Sequence, residues 1–496
     1  MPELTTADRR LIAAAVGAWS STAVCTLLAV RTGLAVAAAA SVLGVVGRAR
    51  AGPVAALVVA SMLGVLLGSL AAVWHVHDLR ASTVARLAAH RADVDLVARL
   101  VRDPIASTAA VGLTIVDATA TSVHAEGWRR ASSPILVLSY SDGWTGLLPG
   151  QRVELTGRLE AARRGDDVAA VLDARGPPIA IGVPPWWQRL AGRARAALRR
   201  ACGGLPVDER GLLPGLVDGD VSDVPPSLQT DMRLTGLTHL EAVSGENVSV
   251  VLAVTLALAR ALGVRRRTRI AVAATALTGF VVLARPSPSV LRAAVMGGVA
   301  LFVLAVGRKV RPIRLLAFAV LGLVLVNPFL ARTVGFGLSV CATAALLLVA
   351  PGWTDRLARH MPRPLAVAIA VPAAAQLACT PLLVMTFGQL TPYAVPANLL
   401  AAPAVVPATI LGVVCALLAT LVPVLAPPVA WLAALATAVI ALVARSLAGL
   451  PGAGLRWPGA PPVAVVAVGL VVVIAIARRY VGRASQPRDI LGRWPP

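Results

Sequence analysis

The chain has 496 residues, 57% of them hydrophobic and only 14% charged, with a mean hydropathy of +0.78 and a formal net charge of +22. A soluble domain of this size cannot keep so much apolar surface from water, so composition excludes that class and points to a polytopic membrane protein. The positive charge does not by itself announce a nucleic-acid partner, because cytoplasmic loops of membrane proteins carry an excess of Arg and Lys.

The first apolar run lies within 11–30, lacks a small-residue cleavage site and reads as an anchor. Crossing a bilayer takes ~20 apolar residues. Runs near that length follow at 33–47 and 54–74, and then at 240–259, 268–284, 289–306, 313–326, 334–350, 364–386, 399–421, 427–448 and 462–477. That makes about twelve segments, of which 33–47 and 313–326 are short. With Arg9 and Arg10 inside, Arg48 and Arg50 fall inside too, as do the Arg-rich stretches 260–269, 307–314, 355–363 and 478–483. Much of the net charge is therefore a record of topology. The five cysteines (Cys25, Cys202, Cys341, Cys379 and Cys415) have neither disulfide-framework nor metal-knuckle spacing.

Residues 75–185 are placed outside by the same alternation, and their pattern differs. "VDLVARLV", "AVGLTIVDATATSV", "PILVLSY", "RVELTGRLEAA" and "DVAAVLDA" are short β-prone runs punctuated by Gly, Pro and Asp. Five such strands predict a small barrel of OB type. Between Val76 and Pro185 twelve Arg balance twelve Asp plus Glu, which is not the electrostatic footprint of a strong phosphate binder. Stacking through Trp128, Tyr140 or Trp144 stays open. Next, "PPWWQRLAGRARAALRRACG" (184–203) puts Trp186, Trp187, Leu190, Ala194, Ala197 and Leu198 on one helical face and five Arg on the rest. Such a helix lies in the membrane interface; the alternative is a basic lip that attracts a polyanion.

The stretch "TGLTHLEAVSGENVSVVLAVTLAL" (235–258) opens an apolar run with His239, Glu241, Ser244, Glu246 and Asn247. On a helix, Glu241, Ser244 and Asn247 form a drifting polar stripe, while Gly236 and Gly245 allow bending or close approach. Ionisable residues at membrane depth mark function; in the headgroup zone they cost little, and both readings stand. A nucleophilic serine is disfavoured. "EAVSGEN" is not a G-x-S-x-G elbow, and a five-residue spacing turns His239 and Ser244 roughly 140° apart on a helix. Pro and Gly also break "ARPSPSVLRAAVMGG" and "LTPYAVPANLLAAPAVVP". Irregular backbone at membrane depth is tolerated only where protein or a watery cavity satisfies it.

The segment "GLVDGDVSDVPPSLQTDMRLTGLTHLEAVSGENVSVVLA" resembles the signature of the ComEC/Rec2 family of competence proteins: a Gly-Asp pair, a spacer, then G-x-x-H-L-x-A-x-S-G. "RPSPSVLRAAVMG", "NPFLARTVGFGLSV" and "QLACTPLLVMTFGQLTPYAVPANLLAAP" agree in order, and "LLPGQRVELTGRLE" resembles the family's OB-like region. The resemblance covers most of 90–450. It implies an inner-membrane conduit for single-stranded DNA taken up during natural transformation. The matching residues it carries over are Gly219, Asp220, His239, Ser244, Gly245, Pro286, Ser287, Arg292, Asn327, Pro328, Gln376, Pro381, Asn398 and Pro403, and the residues' own polar pattern adds Glu241, Asn247 and Arg285 to the candidate channel set. Arg285 and Arg292 flank a Pro-Ser-Pro break where guanidinium groups could meet phosphates, and Gln376 and Asn398 offer neutral hydrogen bonds to a sliding strand.

Two departures stand out. Asn247 occupies a place where family members often have His. Many members also carry a metallo-β-lactamase-like domain, whereas here only "HVHDLR" begins an H-x-H-x-D-H set and twenty residues follow Ile476. No cofactor, metal site or enzymatic activity is expected. No G-x-x-x-x-G-K-[ST] loop occurs, and the only lysine is Lys309. The expected partners are therefore single-stranded DNA, membrane lipid, and a DNA receptor, an ATP-driven motor and a nuclease supplied by other proteins; a homo-oligomer is left open.

The expected fold is a mainly α polytopic cell-membrane protein with a small external OB-like β-barrel. Its parts are N-terminal helices (1–74), the β domain (75–185), a basic amphipathic connector (186–236), the channel domain (237–480) and a basic cytoplasmic tail (481–496). The alternative function is transport of another solute, such as an anionic polymer or a lipid-linked intermediate; a third is a scaffold that docks partners through the barrel.

Overall fold

The computed structural model describes residues 4–28, 30–48, 52–106, 110–125, 127–144, 146–241, 245–285, 288–307 and 310–456. Four helices come first: α1 (Thr6–Cys25), α2 (Val30–Arg48), α3 (Pro53–Ala81) and the short α4 (Thr83–Ala89). The strands are β1 (Asp93–Leu100), β2 (Ile105–Ala106), β3 (Thr114–His124), β4 (Trp128–Ser139), β5 (Arg152–Ala161), β6 (Ala170–Ala174) and β7 (Ile179–Ile181). Helices then resume as α5 (Trp186–Cys202), α6 (Val207–Asp218), α7 (Pro226–Leu234), α8 (Gly245–Ala261), α9 (Arg266–Ala284), α10 (Pro288–Val306), α11 (Pro312–Val326) and α12 (Val334–Leu348). The series ends with α13 (Ala350–Leu357), α14 (Arg363–Phe387), α15 (Ala394–Leu421) and α16 (Ala426–Ala448).

The five β-prone runs form the wall of one closed barrel. β1 pairs antiparallel with both β3 and β5, β3 with β4, and β5 with β6, while β4 and β6 run parallel and complete the circle. The wall order β1-β3-β4-β6-β5, closed back onto β1, is that of an OB-type Greek-key barrel. Alternation decides which residues fill it: in β5 the burial reads in, out, in, so Val153, Leu155 and Leu159 point inward. Trp144, from the β4–β5 connection, and Val84 and Ala88 of α4 close the same core. The Ser82 hydroxyl caps α4 by accepting from Ala85 N–H at 3.1 Å.

Among the described residues six helices are long and apolar enough to cross a membrane: Val54–Ala81, Arg266–Ala284, Ser289–Val306, Arg363–Phe387, Ala394–Leu421 and Pro423–Ala448. A seventh arises if the pair Val334–Leu348 and Ala350–Leu357, bent by 44°, is one span. The expected twelve are not reached. In the run 240–259 the described helix α8 has 17 residues, Gly245–Ala261. The polar first turns of α1 shorten its apolar part, and Val30–Val45 and Pro312–Val326 are short apolar helices. The run 462–477 lies outside the described residues.

The helix ends sort into two groups. At one end the buried Asp8 of α1 receives Arg311 Nη1 at 2.9 Å and Arg314 Nε, both from the start of α11. Arg266, opening α9, donates to the Leu304 carbonyl near the end of α10. At the other end lies the barrel: Arg332 donates to the Gly165 carbonyl of the β5–β6 loop, and Trp19 Nε1 reaches Ala331 O at 2.8 Å. The Arg-rich segment around 311–314 and the barrel therefore occupy opposite ends of α1 and α11.

Small residues let α1 and α3 touch backbone to backbone. A Cβ on Gly64 would lie 2.0 Å from Ala14 O, and one on Gly17 would lie 2.3 Å from Ser61 O. Gly64→Ala should therefore lower the thermal midpoint of the detergent-solubilised chain. Gly279→Ala, where a Cβ meets nothing within 4 Å, should leave it unchanged or raise it slightly.

Candidate functional site

The densest polar network of the described residues surrounds the end of α6. That helix stops because Gly219 takes the left-handed conformation (φ 78°, ψ 15°), its N–H returning to Gly215 O at 3.1 Å. The chain then turns back on itself through two carboxylates. Asp218 Oδ1 accepts the Asp220 N–H at 3.0 Å, and Asp220 Oδ1 accepts the Ser222 hydroxyl at 2.6 Å and its N–H at 3.2 Å. Arg199 of α5 pairs with Asp220 at 3.3 Å. Arg195 spends Nη1 on the carbonyls of Asp218 and Leu283, leaving the Asp218 carboxylate at 3.7 Å.

These environments differ in their electrostatic result. Asp218 is wholly buried and its Oδ2 meets no donor. Burial therefore pushes its carboxyl up to about 6, against a weaker pull from Arg195. Burial also opposes ionisation of Asp220, but the Ser222 hydroxyl and Arg195 outweigh it and hold that carboxyl below its ordinary value. Glu241, in the turn before α8, has a buried Oε1 without a donor, and burial raises it to about 7.

The network reaches the barrel through Arg285, the residue after α9. Its ψ of 146° is the extended value that a following proline demands, but its φ of 64° is positive, a region bulky side chains rarely occupy. Its guanidinium grips Asp103, from the β1–β2 loop, with two bonds of 2.8 and 3.0 Å, and also donates to Gln188 of α5. In the described arrangement this cation is committed to protein partners.

The remaining motif residues join in pairs. Asn247 is buried and donates Nδ2 to Leu216 O at 2.7 Å, locking α8 to α6. Gly245 lies against Arg292, whose Nη2 would be 2.9 Å from a Cβ there. Arg292 is itself buried, with Nε on Ser339 Oγ of α12 at 2.8 Å. Gly236 packs on Ala394, where a Cβ would meet the alanine Cβ at 2.7 Å. In the short 3-10 turn Thr238–Leu240, His239 is exposed and Leu240 is buried with Leu237 among Ala397 and Ala401. Gln376 Nε2 reaches Thr391 Oγ1 at 3.0 Å, and Asn398 donates to Ala394 O at 2.7 Å, so these two meet the His239 segment around the start of α15. Asn327 stands apart, its Oδ1 capping the turn Pro328–Arg332 through Phe329 N–H at 3.1 Å. Ser244, Pro286 and Ser287 lie outside the described residues.

Two sequence expectations change. Glu241 and Asn247 do not share a helical stripe, because Glu241 sits in a turn whereas Asn247 lies in α8. The amphipathic helix α5 does not simply lie on lipid. Trp186 and Trp187, packed edge to face, are exposed, but Arg195 is largely buried beside Asp218 and the half-exposed Arg199 pairs with Asp220. Asp103, Gln188, Arg195 and Asp218 were missed by sequence reasoning; the one available signal was that Asp218 precedes the Gly-Asp pair. Among the described residues no three His, Cys, Asp or Glu side chains are grouped to hold a metal ion.

An OB-like barrel tied by ion pairs to a bundle of long apolar helices defines the class, a membrane-protein fold with an appended β domain. Residues 216–481, more than half of the chain, match the family described as competence protein, and the chain belongs to that family. It is similar to ComE operon protein 3 of Bacillus subtilis (strain 168), at 31% identity over 199 residues, which is 40% of this chain and 25% of that relative. The match thus spans a quarter of the relative's length. No solved structure matches the chain.

Asp103→Ala would strand the Arg285 guanidinium, only 13% exposed, and should cost on the order of 3 kcal/mol. The double variant Asp103→Ala/Arg285→Ala should lose less than the sum of the singles, read by thermal unfolding in detergent. A second expectation concerns pH. A carboxyl raised in the folded state contributes its stability fully below its unfolded value and loses it as pH rises through about 6 for Asp218. Asp218→Asn should match the wild-type chain near pH ~4 and exceed it near pH ~7, by up to about 3 kcal/mol. Glu241 titrates in both proteins, so the difference isolates Asp218.

Proposed function

We propose that this protein acts in natural transformation as the inner-membrane conduit through which single-stranded DNA enters the cell. The observation that carries the reading is that separate motif segments converge. The Gly219–Asp220 turn, the start of α8, the end of α9 and the start of α10 are joined by side chains, and the start of α15 packs on Gly236 before α8, although they are scattered over 216–403. Membership of the competence family and the similarity to ComE operon protein 3 support the same role.

In this reading the polar groups do what a hydrated path through lipid requires, satisfying irregular backbone and offering partners to a passing strand. Gln376, Asn398 and His239 supply weak hydrogen bonds that let a strand slide. Gly219 and Asp220 fix the turn that Arg195 and Arg199 hold, and Gly245 and Asn247 set α8 beside α6. Arg285 and Arg292 are engaged with Asp103, Gln188 and Ser339, and in this reading phosphates would compete for these guanidinium groups as the strand arrives. The barrel sits over this entrance. Ser244, Pro286 and Ser287 belong to the same motifs and are assigned to the passage on that ground alone. Force, reception and removal of the second strand fall to separate proteins.

The test is uptake of labelled DNA in a clean deletion strain complemented with variants. Arg292→Ala, Asn398→Ala and Asp220→Asn should each reduce internalised DNA and transformant frequency at least about tenfold with normal protein abundance, the scale of one lost charged or buried hydrogen bond. Unchanged internalisation in the deletion strain would remove the conduit and leave transport of another solute as the better reading.

A further inference from the structure

Where the barrel meets the bundle there is a cleft of about 280 Å³ that plays no part in the network above. One wall is the last turns of α3 and the end of α1; the other is the β5–β6 loop of the barrel; Phe329 lies beneath. Arg80, Arg163 and Arg164, all exposed, are among its lining residues, together with the apolar Val76, Leu79 and Phe329. Among the described residues none of these three arginines makes an ion pair. The one lining carboxylate, Asp166, accepts the backbone N–H of Arg163 at 3.0 Å and closes the loop on itself. The loop is seated by Arg332, which donates to Gly165 O.

We infer that this cleft binds the headgroup of an anionic phospholipid. Three arginines around one cleft that also has apolar lining suit a phosphodiester that continues into acyl chains, since guanidinium bonds phosphate oxygens in pairs. Depth agrees. The span Val54–Ala81 has 28 residues, about 42 Å of helix at ~1.5 Å per residue, against ~30 Å of hydrocarbon, so its last turns fall in the headgroup layer. Trp74, 65% exposed on the same end of α3, is of the type that marks this layer. A choline or ethanolamine head would bring an ammonium against three cations; a glycerol head leaves the phosphate alone with them. A nucleic-acid backbone is less well matched, because the barrel region 76–185 has as many acids as arginines. The consequence is that the leaflet helps hold the barrel over the bundle. The inference does not depend on the conduit reading.

The experiment titrates the full chain in detergent with short-chain phosphatidylglycerol, with phosphatidylcholine and with oligothymidylate, and counts bound molecules by native mass spectrometry. Wild-type protein should retain phosphatidylglycerol over phosphatidylcholine. Arg80→Gln/Arg163→Gln/Arg164→Gln should weaken that retention at least about tenfold with an unchanged unfolding midpoint. Arg129→Gln/Arg130→Gln/Arg152→Gln, exposed elsewhere on the barrel, should not. Equal phosphatidylglycerol binding by wild type and the first triple variant would overturn the inference. So would displacement of the lipid by oligothymidylate from the wild type, which would make the cleft a strand site.

Discussion

Arg195 has more oxygen atoms to serve than its guanidinium can satisfy, and much of the architecture follows from that shortage. Its Nη1 holds the carbonyls of Asp218 and Leu283, fastening the end of α6 to the end of α9. Asp103 and the Asp218 carboxylate are left at 3.9 and 3.7 Å. Asp103 is compensated by Arg285, which brings the barrel down onto the bundle. Asp218 is not compensated, and remains a buried carboxyl with an oxygen that meets no donor. A buried ion pair is weak evidence of stability, since desolvation offsets much of the attraction. What it secures here is register: three parts of the molecule cannot shift without leaving a charge unpaired.

Above this junction the barrel is self-sufficient, with a core of inward-facing aliphatic side chains plugged by Trp144 and by α4. Below it the helices pack through small residues. The Gly64 and Gly17 contacts of α3 with α1 are backbone to backbone. Gly412 approaches α6 so closely that a Cβ would lie 2.3 Å from Val217 Cγ2. Between helices in lipid, close approach replaces the hydrophobic drive that operates in water. The two halves thus obey different solvents, and only the ion-paired seam between them must satisfy both.

Along the chain, regular elements were the most legible. The five strands could be read because a barrel buries one face, so period-two alternation survives in the residues. The long apolar helices could be read because lipid demands length and apolarity together. Among the described residues the expected count of about twelve is not confirmed where those demands relax. α1, α2 and α11 are apolar yet short or polar-tipped, and hydropathy alone does not distinguish them from spans. Glu241 has the spacing of a helical stripe with Asn247 but sits in a turn.

The candidate site was legible in its motifs and hidden in its partners. Gly219, Asp220, Gly245, Asn247 and Arg292 stand in recognisable order. Asp103 carries no local pattern and lies 182 positions from Arg285, and Asp8 lies 306 positions from Arg314. By itself the sequence determined the mainly helical class with long apolar helices and the presence of the barrel, because these depend on local periodicity and composition. Only the tertiary structure decided which arginines are committed and which face a cleft, because an ion pair is settled by distance in space, and chain separation carries no trace of it.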